Sequence, residues 1–270
     1  KDLSVLHDDN GTFIDWSVEA NDYGRDSFVI PLVAAEDHLY VGLYKPFKEV
    51  YLELKVLNVI ANDLTAEYWN GSTWNNLSEF LDDSKGMTRS GFLSWAKPDD
   101  WVATTVNSDS MFWVRFVPSV DITGTTEVQG LNIVFADDQD LVNEFSNVLS
   151  YLQSLSSFIS YHQSVRDDIV QSLRNKGNVK TNSSAQTLKN ITKWDLLDTE
   201  EIKLGAVYGV LSKIFFQLSD DPEDKWYQRH KDYENKCKEA LELYSLSLDL
   251  NDDGKDDKSE MVRYQGVSLT

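Results

Sequence analysis

Apolar positions along this chain follow two rhythms that change over near Ala136. Before it they come in short β-rich runs separated by turn residues, the pattern of an antiparallel sandwich or barrel. Strands are predicted at Ser27–Ala34, His38–Tyr44, Glu49–Leu57, Thr65–Trp69, Phe112–Phe116 and Leu131–Phe135. The run Tyr51 to Leu57 alternates only in part, so one of its faces is expected to be less exposed than the other. Asn70-Gly71, between Tyr68-Trp69 and Thr73-Trp74, reads as a type I′ hairpin turn, which needs positive φ at both central residues.

After Ala136 the spacing is helical. Asp140 is a candidate cap for a stripe of Leu141, Phe145, Val148, Leu149, Leu152 and Leu155. A second stripe, Val165, Ile169 and Leu173, ends at Lys176-Gly177, a cation followed by a glycine stop. Polar residues 178–185 read as a loop. Asp198 with Glu201 resembles a capping box ahead of Ile202, Ala206, Leu211, Ile214, Phe215 and Leu218. Asp221-Pro222 then opens another helix with Trp226, Tyr233, Cys237, Leu241 and Tyr244 inward. The short join between these helices predicts an antiparallel hairpin. The fold class is therefore α+β: an N-terminal antiparallel β-sandwich over 1–137, followed by a C-terminal α-helical bundle over 138–270.

Composition narrows the function. A formal net charge of -20 opposes binding by neutralisation of phosphates, so DNA is not an expected ligand. One cysteine, Cys237, rules out an intrachain disulfide, and burial of a free thiol is the expected role. No long apolar run predicts a membrane span, and the opening Lys-Asp-Leu-Ser lacks the pattern of a signal peptide, so a soluble, non-exported chain is expected. Six of the eight tryptophans lie in the β half, where they can fill the core or, if exposed, stack on sugar rings or anchor a protein partner. The four histidines show no metal spacing, and no nucleophile elbow or phosphate-cradling loop occurs. Gly205 and Gly209 are read as close-packing positions within a helix. No enzymatic activity is expected.

The loop Asp249 to Glu260 fits D-x-[DN]-x-[DN]-G-x5-E at every specified position. Its ligands to a structural Ca²⁺ would be Asp249, Asn251, Asp253, the Lys255 carbonyl, Asp257 and Glu260, with Gly254 at the sharp turn. The alternative is a solvated acidic turn without metal. With no second helix expected after it, the loop would act as a clasp that ends the helical hairpin and aims residues 261–270 at a neighbour.

Two stretches resemble known proteins. Tyr68-Trp-Asn-Gly-Ser-Thr-Trp74, the segment Thr88-x-Ser90-Gly91-x-x-x-Trp95, Pro98-Asp-Asp-Trp101 and Trp113-Val-Arg-Phe116 resemble a β-sandwich module of tailed-phage virion proteins. The block Ile191 to Asp198, then Ile202-Lys-Leu-Gly-Ala-Val-Tyr208, Ser212 to Phe216, Lys225-Trp-Tyr227 and Leu248 to Gly254 resembles head-to-tail connector, or adaptor, proteins of tailed bacteriophages. That resemblance implies a homo-oligomeric ring, commonly of twelve copies, docked on a portal protein with tail or other neck proteins below. DNA would pass through the channel without specific contacts, and no membrane is involved. It places the protein in the virion neck, assembled in the host cytoplasm, with the tail residues Met261, Val262, Arg263 and Tyr264 contacting the portal. The large sandwich departs from compact adaptors. The other reading is a carbohydrate- or receptor-binding attachment protein with a calcium-stabilised helical module.

Overall fold

The computed structural model describes residues 2–175, 179–181, 188–243, 245–251 and 261–263. The chain is α+β and divides after Ile133 into two compact units, somewhat before the boundary expected at residue 137.

The first unit contains two antiparallel sheets. One runs in the order β2 (Thr12–Asp15), β1 (Ser4–Asp9), β4 (His38–Leu43), β11 (Asp109–Pro118), β6 (Leu64–Trp69), β7 (Trp74–Asn76), with β10 (Thr104–Val106) also paired to β11. The other runs β3 (Phe28–Val29), β12 (Glu127–Asn132), β5 (Glu49–Val56), β9 (Gly91–Ser94), β8 (Leu81–Asp82). Because side chains alternate across a strand, one face of the first sheet gathers Val5, Leu39, Val41, Leu43, Val114, Phe116 and Ala66 into the core, all buried. The second sheet contributes Val50, Leu52, Leu93, Val128 and Leu131. Trp95, just after β9, meets Phe116 of β11 at 6.1 Å between ring centroids, linking the two sheets.

β1, β2 and the single helical turn α1 (Ser17–Ala20) that follows them were not among the expected elements. Leu6 breaks the alternation of Leu3 and Val5 because it faces the opposite way, into apolar surroundings of its own. The type I′ geometry belongs to these strands: Asn10 and Gly11 both have positive φ, 46° and 89°, between the pair Asp9 and Thr12. At Asn70-Gly71 only Gly71 is left-handed, at 98°. The turn there is a four-residue loop between Trp69 and Trp74, and the Asn70 side-chain oxygen accepts from the Ser72 and Thr73 amides at 3.0 and 2.9 Å. Two further strands were mislaid. The run Ser27–Ala34 shrinks to Phe28–Val29 plus an isolated bridge from Leu32 to Ile122, and Leu131–Phe135 shifts back to Glu127–Asn132.

Residues of the segments 68–74, 82–95 and 98–101 hold this unit together. Ser90 Oγ accepts from the Leu54 amide at 2.9 Å, where the β5–β12 register shifts. A Cβ on Gly86, whose φ is +67°, would lie 2.0 Å from the Asn62 carbonyl oxygen. Asp100 accepts the Tyr68 hydroxyl at 2.8 Å, and Trp101 is buried against Phe47, Tyr68 and Phe112.

In the second unit the expected helix through Leu155 is short. It is α2 (Asp138–Glu144), followed by a 3₁₀ turn at Val148–Tyr151, and Leu149 and Leu155 are exposed. Serines at 146, 150, 154, 156 and 157 offer the backbone competing hydrogen bonds, and Asp138 accepts from the Phe158 amide instead. The cap is Asp137, not Asp140; Asp140 sits three residues inside and completes the capping box. α3 (Ile159–Asn175) carries the Val165, Ile169 and Leu173 stripe, all buried. Part of the expected loop 178–185 is a strand: β13 (Val179–Thr181) pairs with β14 (Leu188–Asn190).

α4 (Glu200–Gln217) and α5 (Lys225–Leu243) form the expected hairpin. The N-cap position of α4 is Thr199, which makes no side-chain capping bond, while Asp198 accepts from the Glu200 amide at 3.0 Å. Residues 221–224 are a turn in which Asp224 accepts from the Tyr227 amide at 2.7 Å. The two glycines act as close-packing positions. A Cβ at Gly205 would lie 2.5 Å from Leu241, and one at Gly209 would lie 2.9 Å from Val165 and 3.5 Å from the Cys237 sulfur. Cys237 is buried in this contact, and burial pushes its thiol up to about 12. Tyr244 lies outside the described residues.

Candidate functional site

The side of the first sheet turned away from the core is not a plain polar surface. The register sets Leu6, Tyr40, Arg115, Glu67 and Asn76 in one row across β1, β4, β11, β6 and β7. Asp8 and His38 share the flanking row on one side, Trp113 and the Trp69–Trp74 pair the row on the other. Register thus brings together residues more than a hundred positions apart, Leu6 and Arg115 among them.

A small second core holds these groups in place. Trp113, Leu6, Tyr40 and Val106 are buried together, with Phe13, Trp74 and Met111 packed against them. Trp113 lies flat over Gly42, where a Cβ would come within 2.5 Å of the ring. Its indole N–H donates to the carbonyls of Thr104 and Asp109 at 3.1 and 3.3 Å. Tyr40 meets Trp74 and Trp113 edge-on at 5.5 and 6.2 Å.

On this support sits a charged cluster. Arg115 Nε donates to Glu67 Oε2 at 2.5 Å, the guanidinium carbon stands 4.6 Å from the centre of the Trp74 ring, and Nη1 reaches the Tyr40 hydroxyl at 3.5 Å. The Arg115 and Glu67 side chains keep 20% and 22% of their exposure. Asp8 Oδ2 lies 3.6 Å from His38 Nδ1. Burial lowers the His38 pKa and Arg115 adds to this, with Asp8 and Glu67 opposing; burial raises the Tyr40 hydroxyl. The arrangement offers aromatic stacking and fixed, directional hydrogen bonds. None of this was read from the sequence: parity puts Trp113 with Arg115 and Glu67 with Trp69 on shared faces, but only the register between strands brings the two pairs together.

The acidic loop was the expected site. Of its ligands, Asp249 and Asn251 are described; Asp253, Lys255, Asp257 and Glu260 lie outside the described residues, as does Tyr264. The loop is flanked by strands, not by a helix as expected: β15 (Ser245–Ser247) leads in, and β16 (Met261–Arg263) returns to pair with it, Ser245 opposite Arg263. The backbone of Met261, Val262 and Arg263 thus belongs to a ladder within its own chain, where a projecting tail was expected. Asp249 is fully buried, and its amide donates to the Asp195 carbonyl at 2.8 Å. Leu248 bridges Leu196, the Leu197 amide donates to Ser247 O at 2.9 Å, and Glu201 accepts from both the amide and hydroxyl of Ser247 at 2.8 and 3.1 Å. Among the described residues, no three His, Cys, Asp or Glu side chains come together as metal ligands.

The second unit also has an open groove of about 520 Å³ between Phe145 and α5. Arg229 stacks there on Phe145, Phe215 and Trp226, and Lys236 contacts Tyr233 and Glu144. Burial, with Glu144 beside it, pushes the Tyr233 hydroxyl up to about 12. Asp232 and Glu239 line the same groove and offset its cations.

No protein-family model and no curated protein matches the chain. Among solved structures, it is similar to chitosan-binding module 1 from a chitosanase/glucanase of Paenibacillus sp. IK-5, at 14% identity and TM-score 0.27 over 42% of this chain and 80% of that one. It is also similar to a family 89 glycoside hydrolase from Clostridium perfringens, at 9% identity in two inhibitor complexes. These matches cover 65% and 82% of this chain, but only 20% and 26% of the hydrolase, with TM-scores of 0.27 and 0.29. Likenesses this low decide nothing about activity.

Proposed function

We infer that this chain is a structural virion protein of a tailed phage, a head-to-tail connector that forms a ring between portal and tail around the DNA channel. One observation carries the reading: the residues that resemble connector proteins after Ile191 are those that interlock α4 and α5. Gly205 in the Ile202–Tyr208 block receives Leu241, Ser212 hydrogen-bonds His230 at 2.9 Å, and Phe215 stacks on Trp226 at 5.7 Å. The resemblance therefore follows a packing unit rather than scattered surface positions. The acidic charge agrees with a channel that DNA must slide through, since an attractive wall would hold it. Partners are the portal, neck or tail proteins, and further copies of the chain, in the virion neck after assembly in the host cytoplasm.

Co-expression with the portal protein of the same phage tests this. A portal-dependent ring seen by native mass spectrometry and by cryo-EM of the neck is expected; a protein located elsewhere in the virion, or one that stays monomeric beside the portal, overturns it.

Calcium remains part of the proposal as a structural ion at the Asp249 to Glu260 loop. Asp249 and Asn251 would supply the first oxygens, from a segment already tied to Asp195 and Leu196. EDTA is expected to lower the melting temperature of the second unit and calcium to restore it; an unchanged melting curve at saturating chelator leaves an acidic turn.

A further inference from the structure

We propose that the outward face of the first sheet, centred on Trp74, Arg115 and Glu67, is a binding site for a neutral glycan. The site stands apart from the connector reading, since a neck protein and an attachment protein can both carry it.

Trp113, Leu6 and Val106 are consumed in closing the small second core. Packing does not call for an arginine–glutamate pair on top of that core, held against a half-buried indole and bordered by Trp69, His38, Asp8 and exposed Asn76. A largely buried ion pair must offset its own desolvation, so apolar packing alone does not call for one here.

The geometry suits a sugar. The pyranose ring has an apolar face of C–H groups and an equatorial rim of hydroxyls, each both donor and acceptor. Trp74 and Trp69 meet edge-on at 5.6 Å and supply an aromatic step. Arg115, whose guanidinium covers one face of Trp74, uses Nε for Glu67 and Nη1 for Tyr40, which leaves the Nη2 donors for a ligand at the edge of that step. Glu67 accepts through Oε2 and keeps Oε1 open. A donor fork next to a free carboxylate oxygen can hold two neighbouring hydroxyls at once. Both side chains are fixed before the ligand arrives, by their mutual hydrogen bond and by the ring beneath, which lowers the ordering cost of binding.

The charge pattern selects the ligand class. Arg115 is matched by Glu67, Asp8 lies beyond His38, and the whole chain carries -20, so a sulfated or carboxylated sugar meets no net positive field. Neutral hexoses and N-acetylhexosamines are the expected class.

The test uses the full chain on an array of neutral and acidic oligosaccharides, followed by titration of the best neutral probe with ¹H–¹⁵N spectra of the tryptophan indoles. The expected result is retention of neutral glycans, with the Trp69 and Trp74 indole signals shifting and the buried Trp113 signal nearly still. Glu67→Gln and Trp74→Ala should each weaken binding about tenfold or more. Asn76→Ala lies on the same row but is exposed, so it tests the face without loss of folding; a two- to fivefold loss is expected. Retention of no neutral glycan by the folded protein overturns the proposal, as does binding that leaves Trp69 and Trp74 unshifted or survives all three substitutions. Connector assembly should proceed normally in the Asn76→Ala protein, which separates this site from ring formation.

Discussion

The sheet region and the α4–α5 hairpin solve the same packing problem with glycine, in opposite geometries. In the sheet, Gly42 leaves a hollow on the outer face that a whole indole fills. In the helical unit, Gly205 makes room for Leu241 of α5, and Gly209 makes room for Val165 of α3. A strand has two faces and no way to hide the second one, so its glycine serves an additional core. A helix has one buried stripe, and its glycine only sharpens the contact already there. The outer sheet face is therefore both packed and chemically equipped, whereas the polar contact of Ser212 with His230 in the hairpin is spent on joining its two helices.

The largest expected effect strikes the extra core. Trp113→Ala removes the ring that supports Tyr40, Trp74 and through them Arg115, at a cost of about 3 to 5 kcal/mol. Amide exchange measured by mass spectrometry should show deprotection across β1, β4 and β11 and leave α4 and α5 at their original protection. Deprotection of the helices to the same degree would break the distinction between the regions.

Next comes the comparison of the glycines. Gly42→Ala puts a methyl group into the Trp113 ring with no compensating gain, at a cost of about 1 to 3 kcal/mol. Gly205→Ala meets Cδ2 and Cγ of buried Leu241 at 2.5 and 2.6 Å but recovers about 1 kcal/mol of helix propensity, so its net cost should be smaller. Urea titrations that rank them the other way would show that the helical contact is the tighter one.

The smallest effect concerns Asp137. Burial raises its pKa in the folded chain, so its ionised form opposes folding at neutral pH, and that opposition fades as pH falls through the raised value. Asp137→Asn keeps the capping acceptor and removes the charge. It should be neutral or stabilising by less than about 1 kcal/mol at pH 7, with the gap to wild type closing toward pH 4; a gap that widens on acidification contradicts the burial account.

Legibility in the sequence divides along the same line. The central strands His38 to Leu43, Glu49 to Val56 and Leu64 to Trp69 were readable because their apolar runs are dense, and α4 and α5 because the helical period is long and bounded by acidic turns. The strands beside Asn10-Gly11 were missed because both of their faces are partly apolar or partly polar, which erases alternation. The helix beyond Glu144 was overread because spacing alone ignores the serines. The acidic motif was legible as a string, but its flanking strands were not, since three-residue ladders leave little periodic trace. The Arg115 cluster was invisible for another reason: its members are assembled by register between distant strands, and register is written in no local pattern.

The link from Leu196 to Leu248 has a consequence for the order of folding. It ties the two chain ends of the helical hairpin at the side away from the turn near Ser219, and closes one loop through both helices. Closing that loop first would cost chain entropy before any helical contact existed to offset it, so the helices should pair from their turn and the clip should shut last. Loosening the clip with Glu201→Ala, which releases Ser247, is then expected to speed unfolding severalfold and leave the refolding rate nearly unchanged in stopped-flow measurements. The fastener acts as a latch on the finished structure, and its strength sets how long the hairpin stays shut rather than how quickly it forms.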